Sequence, residues 1–427
     1  MPDKNDKPVL IYDDDCEFCR FWITRWKPFT QDAVIYNASQ NVAENYPQIS
    51  SQQFENSVYF VASDGSFCSG AQAVFKVFSH TPKGIWLLRA YENVPGFAPV
   101  SEWGYRQVAE NRKLFSTVTR WIWGSAVKAP TWFLTRRVFL FLLGLVYLFA
   151  FVSIWNQIEG LIGEAGILPV ELYLKDAEIH WGAGRFWQVP TLFWFNAQDE
   201  LLHMICLLGV GASLMIMTNF FAGWALLMAW VFYLSIFNVA QPFLGFQWDT
   251  LLLETGFLSL FLVSWRRHIN GAESSPSWFV IFLFRFLLFR VVFSSGLVKL
   301  ISQDPTWADL TALYYHYETQ PLPTWIGWHA HQLPQAFQEF SVVCVFIIQL
   351  GVVFLVFGPR RIRYIGCAAL VLFDLLIILT GNYGFFNLLT IALCLLLLDD
   401  TVFARWLPTK GKKSKASIFV LKKMTLL

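Results

Sequence analysis

From Val138 onward the chain carries one apolar segment after another, each close to the roughly 20 residues a helix needs to cross a ~30 Å hydrocarbon core. About eight can be placed, at 138–154, 201–217, 220–239, 250–265, 278–300, 340–357, 364–380 and 382–398. Lipid offers backbone groups no partners, so only helices or a closed barrel can span it, and segments of this length select helices. The expected fold is an α-helical polytopic membrane bundle of about eight spans preceded by an N-terminal α/β domain. Composition agrees: 15% charged residues is far below the quarter usual in soluble domains, and 42 Phe and 20 Trp suit lipid-facing helices and interfacial belts.

Basic residues set the orientation. Arg136 and Arg137 precede the first segment, Arg266 and Arg267 follow the fourth, and Arg360, Arg361 and Arg363 follow the sixth. Lys410, Lys412, Lys413 and Lys415 follow the eighth, so every cluster falls on one side of an eight-span count. Both termini are therefore expected in the cytoplasm, with outside loops at 155–200 and 301–339 and a basic tail at 401–427. The first eight residues are polar with no apolar core behind them, so the N-terminal part is expected to stay where it is made. A net charge of +2 without a basic stripe gives no reason to expect nucleic acid. The lipid bilayer is the partner that composition requires.

Apolar density changes near Pro130, which places a mixed domain at 1–125, a linker at 126–136 and the membrane domain at 137–400. Val9 to Tyr12 reads as a short buried strand, followed at once by Asp13, Asp14, Asp15, Cys16, Glu17, Phe18 and Cys19. Phe18, Phe21, Trp22 and Trp26 then recur at helical spacing, so Cys16 falls at the first turn, where free backbone N–H groups and the helix dipole favour a thiolate. Cys19 lies on the same face, close enough to close a disulfide after thiol attack. Strands at 33–36 and 57–61 and a helix at 70–78 complete an order that suits a thioredoxin-like domain. The competing explanations are half of a zinc site, with Cys68 and His80 the nearest further ligands, or two chance residues. The strand-then-helix context favours redox over metal, and no metal or cofactor beyond the dithiol is expected. Against high reactivity, the three aspartates place negative charge beside Cys16, which raises a thiol pKa.

Asp13-x-x-Cys16-x-x-Cys19 after a strand and a Tyr resembles the signature of the DCC family of thioredoxin-like thiol-disulfide oxidoreductases. Ser57-Val-Tyr-Phe-Val-Ala-Ser-Asp-Gly and Tyr105-x-x-Val-Ala-x-Asn-Arg112 resemble the second half of that family, over about residues 8–116. The resemblance implies protein-disulfide reductase chemistry with Cys16, Cys19 and Asp13 as catalytic residues, and a thiol electron donor as partner.

A second resemblance covers about residues 138–400. Gly166-Ile-Leu-Pro169, Thr191-Leu-Phe-Trp194, Phe246-Gln-Trp-Asp-x-Leu-Leu-Leu-Glu254 and Ser295-Gly-Leu-Val-Lys-Leu300 are similar to the lipase maturation factor family. So are Asp304-Pro-x-Trp307, Tyr315-His-Tyr-Glu-Thr-Gln-Pro-Leu-Pro323 and His331-Gln-Leu-Pro334. The better-known members are endoplasmic-reticulum membrane proteins, chaperone-like rather than enzymatic, that help secreted lipases reach active dimers. No counterpart of that family's large C-terminal soluble domain is expected after the last span. Its fusion to a DCC-type domain and lack of a signal point to a bacterial inner membrane.

The membrane segments also contain charges. Asp249 and Glu254 open the fourth, Arg285 and Arg290 lie within the fifth, Lys299 ends it, and Asp374 sits inside the seventh. Each costs roughly 2.5–3.5 kcal/mol on insertion scales unless paired or wet, so each marks either a functional site or an interhelical ion pair. Arg285 and Arg290, five apart, face different sides and call for separate partners. Between 302 and 338, Trp307, Tyr314, Tyr315, Tyr317, Trp325 and Trp328 mix with Pro321, Pro323 and Pro334, as in a segment lying at headgroup level. Its polar groups Lys299, Asp304, Tyr315, His316, Glu318 and Gln320 are the candidate surface for an exported client or ligand. His316, Glu318, His329 and His331 match no metal-ligand spacing and read as hydrogen-bonded interfacial groups. Cys206, Cys344, Cys367 and Cys394 read as apolar fillers rather than an electron relay. Two functions follow from different classes: a membrane assembly factor with an accessory dithiol domain, or a membrane-tethered thiol-disulfide oxidoreductase. A transporter using the buried charges is a weaker third, and a homo-oligomer is compatible with all of them.

Overall fold

The structure, a computed structural model, describes residues 7–81, 84–124, 130–263, 265 and 276–403. Arg266, Arg267 and the basic tail from Lys410 to Lys415 lie outside the described residues. The chain divides into two compact units between Ala129 and Pro130.

The first unit is built on a four-stranded sheet of β1 (Val9–Tyr12), β2 (Ile35–Ala38), β3 (Tyr59–Val61) and β4 (Phe67–Ser69), in the order β2-β1-β3-β4. β1 runs parallel to β2 and antiparallel to β3, which pairs antiparallel with β4. Successive residues of a strand point to opposite faces, and β1 uses both. Val9 and Ile11 pack with Tyr46, Ile49, Phe54 and Tyr59 on one side, while Leu10 packs with Ile23, Val58, Phe60, Ala73 and Val77 on the other. The helices are α1 (Glu17–Thr30), α2 (Gly70–Ser79), α3 (Ile85–Asn93), α4 (Phe97–Glu110) and α5 (Arg112–Trp123), with short helical turns after β2. This mixed sheet sandwiched by helices is the α/β domain that the sequence predicts. Two parts escape the sequence pattern. β4 is three residues long with both ends exposed, and α3 and α4 bury no residue fully.

The second unit is helical. Phe133–Trp155, Asp199–Met217, Ala222–Val239, Trp278–Ile301, Gln335–Phe357 and Arg360–Thr380 are long and apolar enough to cross a membrane. The fourth and eighth expected segments form shorter helices, Gln247–Ser259 with 13 residues and Phe386–Leu395 with 10. At 1.5 Å per residue these span only about 20 and 15 Å. The helix from Gln335 is α-helical to Phe346, π-helical over Ile347–Gly351 and 3₁₀ over Val352–Phe357.

Small residues let the first two long helices approach closely. A Cβ added at Gly209 would sit 2.5 Å from the Phe151 ring, and one at Gly144 would sit 2.9 Å from the Ser213 carbonyl oxygen. Such contacts are the usual device of helix pairs in lipid, where no hydrophobic force drives them together. The first helix is fixed at its start by a residue far along the chain. Asp400 accepts hydrogen bonds from the backbone N–H of Phe133 and Leu134, both at 2.8 Å, and of Thr135 at 3.1 Å. Its carboxylate satisfies three amides that the helix itself cannot and faces the positive end of the dipole. The segment at 302–338 is largely helical, with Pro305–Ala308, Ala312–Thr319 and Trp325–His331.

Candidate functional site

The dithiol sits where β1 hands over to α1. Cys16 is the N-cap of α1, in extended backbone conformation, and its Sγ accepts the Cys19 N–H at 3.2 Å. The Cys19 thiol also donates to Cys16, and this hydrogen bond is the largest cause holding the Cys16 thiol down to about 6. The Cys19 backbone N–H and the nearby Arg112 charge act in the same direction, against burial and the Asp13 charge. The same hydrogen bond, with burial behind it, raises the Cys19 thiol. The proton therefore stays on Cys19 while Cys16 is the thiolate at neutral pH, which separates an attacking sulfur from a resolving one.

Asp13 raises the Cys16 thiol as the sequence suggests, but the Cys19 hydrogen bonds and Arg112 outweigh it, and Asp13 is not a bare charge. Its Oδ1 accepts from the Gln40 side-chain amide at 2.9 Å and from the Asp15 N–H at 3.0 Å, and its Oδ2 lies 3.4 Å from Arg112 Nη1. Asp15 Oδ2 is a further acceptor for Gln40, at 3.3 Å. Arg112 brings a compensating cation to the site from 99 residues downstream. It also lines a small cavity of about 50 Å³ together with Phe18, Cys19, Trp22, Ile23 and Tyr105. The walls are mostly apolar, and Tyr105 is held in them because its hydroxyl accepts the Val58 N–H at 2.9 Å. Tyr105 and Arg112 belong to the DCC-like motif but carry no chemistry of their own in sequence terms; Gln40 gives no signal there at all.

Cys68 lies on β4 opposite Phe60, its thiol pushed up by burial, and His80 closes α2 through Nδ1 at 2.8 Å from the Lys76 carbonyl. Among the described residues no three His, Cys, Asp or Glu side chains converge in a way that could hold a metal ion. All seven cysteines are free.

In the membrane unit the six polar candidates after the fifth expected segment divide between different roles. Lys299 donates to the Ser295 carbonyl at 2.9 Å and lies 5.1 Å from the centre of the Trp307 ring. His316 shares a 2.7 Å hydrogen bond with the Tyr383 hydroxyl, the two rings stacked 6.1 Å apart. Burial, and then the Lys299 charge, keep His316 below the usual histidine range. Glu318 is exposed and pairs with His331 Nε2 at 3.1 Å, and Tyr315 is exposed. Gln320, expected at the surface, is instead 8% exposed and donates to the Thr380 carbonyl at 3.0 Å. It fastens this segment to the end of the Arg360–Thr380 helix, as does Thr324, whose hydroxyl donates to the Leu379 carbonyl at 2.7 Å. Asp304 caps the short helix Pro305–Ala308 through the Thr306 N–H at 3.0 Å.

Among the charges within the membrane segments, Asp249, Glu254 and Arg290 have side-chain partners among the described residues. Asp249, 0% exposed, accepts the Tyr233 hydroxyl at 2.5 Å. Glu254 forms an ion pair with Arg290. Arg285 packs 5.8 Å from the Trp132 ring, and its Nε and Nη2 have no hydrogen-bond partner among the described residues. The two arginines thus have separate surroundings, as their spacing predicts. Asp374 is buried, with its carbonyl oxygen accepting from the Asn387 side-chain amide at 3.2 Å. Cys206, Cys367 and Cys394 are buried, and the Cys367 thiol donates to the Cys394 carbonyl at 3.2 Å.

Comparison with known proteins separates the same two parts. A family model of the lipase maturation factor transmembrane domain matches residues 134–405, and a model of the DCC1-like thiol-disulfide oxidoreductases matches residues 10–118. Lipase maturation factor 2 of Xenopus laevis is 45% identical over 302 residues, covering 67% of this chain and 42% of that protein. Human lipase maturation factor 2 is 42% identical over 308 residues, covering 66% and 42%. Bovine lipase maturation factor 1 is 36% identical over 301 residues, covering 68% and 54%. The chain matches about half or less of the length of these curated relatives. No solved structure is significantly similar to it.

Proposed function

Because the chain belongs to the lipase maturation factor family, we propose that it is a membrane-embedded assembly factor that helps an exported, lipase-like client to fold. The carrying observation is the match of that family's transmembrane domain to residues 134–405, which takes in nearly all of the described membrane unit. The client surface in this reading is the aromatic segment after Ile301, with Tyr315 and Glu318 as its exposed polar groups and Lys299 and His316 half-buried beside them. Gln320 and Asp304 support that segment from within and from its first short helix. The basic clusters support a topology with both termini in the cytoplasm, and the fusion to a dithiol domain supports a bacterial inner membrane. A homo-oligomer would multiply the client surface without altering its chemistry.

The geometry at Cys16 favours a second activity in the same molecule, thiol-disulfide exchange. The Cys16 thiolate attacks a substrate disulfide on its own side of the membrane; the substrate S–S bond breaks, a Cys16–substrate disulfide forms, and the departing substrate sulfur takes a proton from water. Cys19 then gives up its proton, attacks the Cys16 sulfur and releases the second substrate thiol. Two electrons have passed to the substrate, and the Cys16–Cys19 disulfide awaits a thiol electron donor.

Export of active lipase from cells carrying full-chain variants tests which activity is primary. Alanine at Lys299, Tyr315, His316 and Glu318 should leave abundance near normal and abolish maturation. Cys16→Ser with Cys19→Ser should reduce it only in part. Active loop variants beside a dead cysteine variant would make the chain a membrane-tethered reductase instead.

A further inference from the structure

Resting on the reading of Cys16 and Cys19 as an exchange site, we propose that Arg112 stabilises the attacking Cys16 thiolate and that Asp13 is a positioning residue, acting through Arg112 rather than on the thiols. The carboxylate of Asp13 is engaged on both oxygens, by Gln40 and the Asp15 N–H on Oδ1 and by Arg112 on Oδ2. These three contacts hold the carboxylate towards Gln40 and Arg112, and no hydrogen bond joins it to either sulfur among the described residues, while an unpaired carboxylate here would only repel a thiolate. The arrangement makes sense as an anchor. Gln40 and the backbone fix Asp13, and Asp13 fixes a guanidinium that arrives at the first residue of α5.

That guanidinium lines the same small cavity as Cys19 and is mostly buried, with 21% side-chain exposure, so its field is poorly screened. It carries five donors and no acceptor, so its contribution is a positive charge that takes no part in proton transfer. A fixed cation in the cavity wall beside Cys19, whose charge favours the thiolate form of both sulfurs, persists while the proton leaves, whereas Asp13 alone would act with the opposite sign.

This difference in sign gives the test. In the full-length protein, the pH midpoint of Cys16 alkylation is followed by peptide mapping for the wild type, Arg112→Gln, Arg112→Lys, Asp13→Asn and the Asp13→Asn, Arg112→Gln double variant. Arg112→Gln should move the midpoint up by about one pH unit, a roughly tenfold loss of rate below it. Arg112→Lys, which keeps the charge, should recover most of that loss, separating lost charge from lost fold. Asp13→Asn should also raise the midpoint, because the anchor is gone, yet lower it in the Arg112→Gln background, where only repulsion remains. A lower midpoint for Asp13→Asn alone would overturn the anchoring role. An unchanged midpoint in Arg112→Gln, or Arg112→Lys behaving as Arg112→Gln, would overturn the role of Arg112 and leave the exchange reading standing. A wild-type Cys16 that titrates like an ordinary thiol would overturn the exchange reading and this proposal with it.

Discussion

Two thiols three residues apart acquire opposite acidities because only one of them is an N-cap. Cys16 receives the free amide and the thiol of Cys19, whereas Cys19 donates to Cys16 from within the first turn. Cys16 should therefore alkylate first at neutral pH, and Cys19→Ser should trap mixed disulfides that Cys16→Ser does not, as read by non-reducing electrophoresis. Stability should follow the same protons. Between pH 6 and about 8.5, the ordinary thiol range, the unfolded chain holds a Cys16 proton that the folded one lacks, so stability of the reduced N-terminal unit rises with pH. Above about 8.5 the unfolded chain also loses the Cys19 proton that the fold retains, so stability falls again. Hydrogen exchange of β1 and α1 should show this maximum in the reduced protein and not in the Cys16→Ser, Cys19→Ser variant. The cysteine pair and its helix start are legible in the sequence because both are local. Arg112 is not, since a contact across 99 residues leaves no mark in local periodicity. The expected influence of the aspartates likewise omits the cation that answers them.

Helices in the membrane unit reveal themselves by length and apolarity, and six of the expected segments are long enough in the structure to cross. The two shorter ones carry a different signature. Gln247–Ser259 opens with Asp249 and carries Glu254, and the buried Asp249 and half-buried Glu254 are answered by Tyr233 and Arg290 on neighbouring long helices. A helix tied to its neighbours by such contacts need not show a full lipid-length run of apolar residues. The cap on Phe133–Trp155 is equally invisible in sequence, because Asp400 lies 267 residues from Phe133. Asp400→Ala should destabilise the membrane unit by roughly 1–2 kcal/mol, in the range of a lost N-cap, measured by thermal unfolding in detergent. Glu254→Gln should cost less, since the Arg290 and Glu254 side chains remain 46% and 34% exposed.

Across the whole molecule, the placement of the two short helices decides on which side the aromatic segment lies. If Gln247–Ser259 crosses, the described long helices alternate so that residues near 271 share a side with Arg136 and Arg137, and the segment at 302–338 lies opposite. If it enters and returns on one side, Trp278–Ile301 starts from the opposite side, and the segment at 302–338 then shares a side with Arg136 and Arg137. The basic residues discriminate between these arrangements. The first keeps Arg266, Arg267, Arg360 and Arg361 with Arg136 and Arg137, whereas the second sends all four across, against the retention of Lys and Arg on the cytoplasmic side. Lys410 gives no leverage by itself, because whether Phe386–Leu395 crosses or returns decides the side of the tail in either arrangement. Reporter fusions at Gly271 should therefore report cytoplasm, and those at Gly166 and Gln320 the outside. A cytoplasmic signal at Gln320 with an outside signal at Gly271 would place the aromatic segment away from any exported client and remove the ground for a maturation role on that surface.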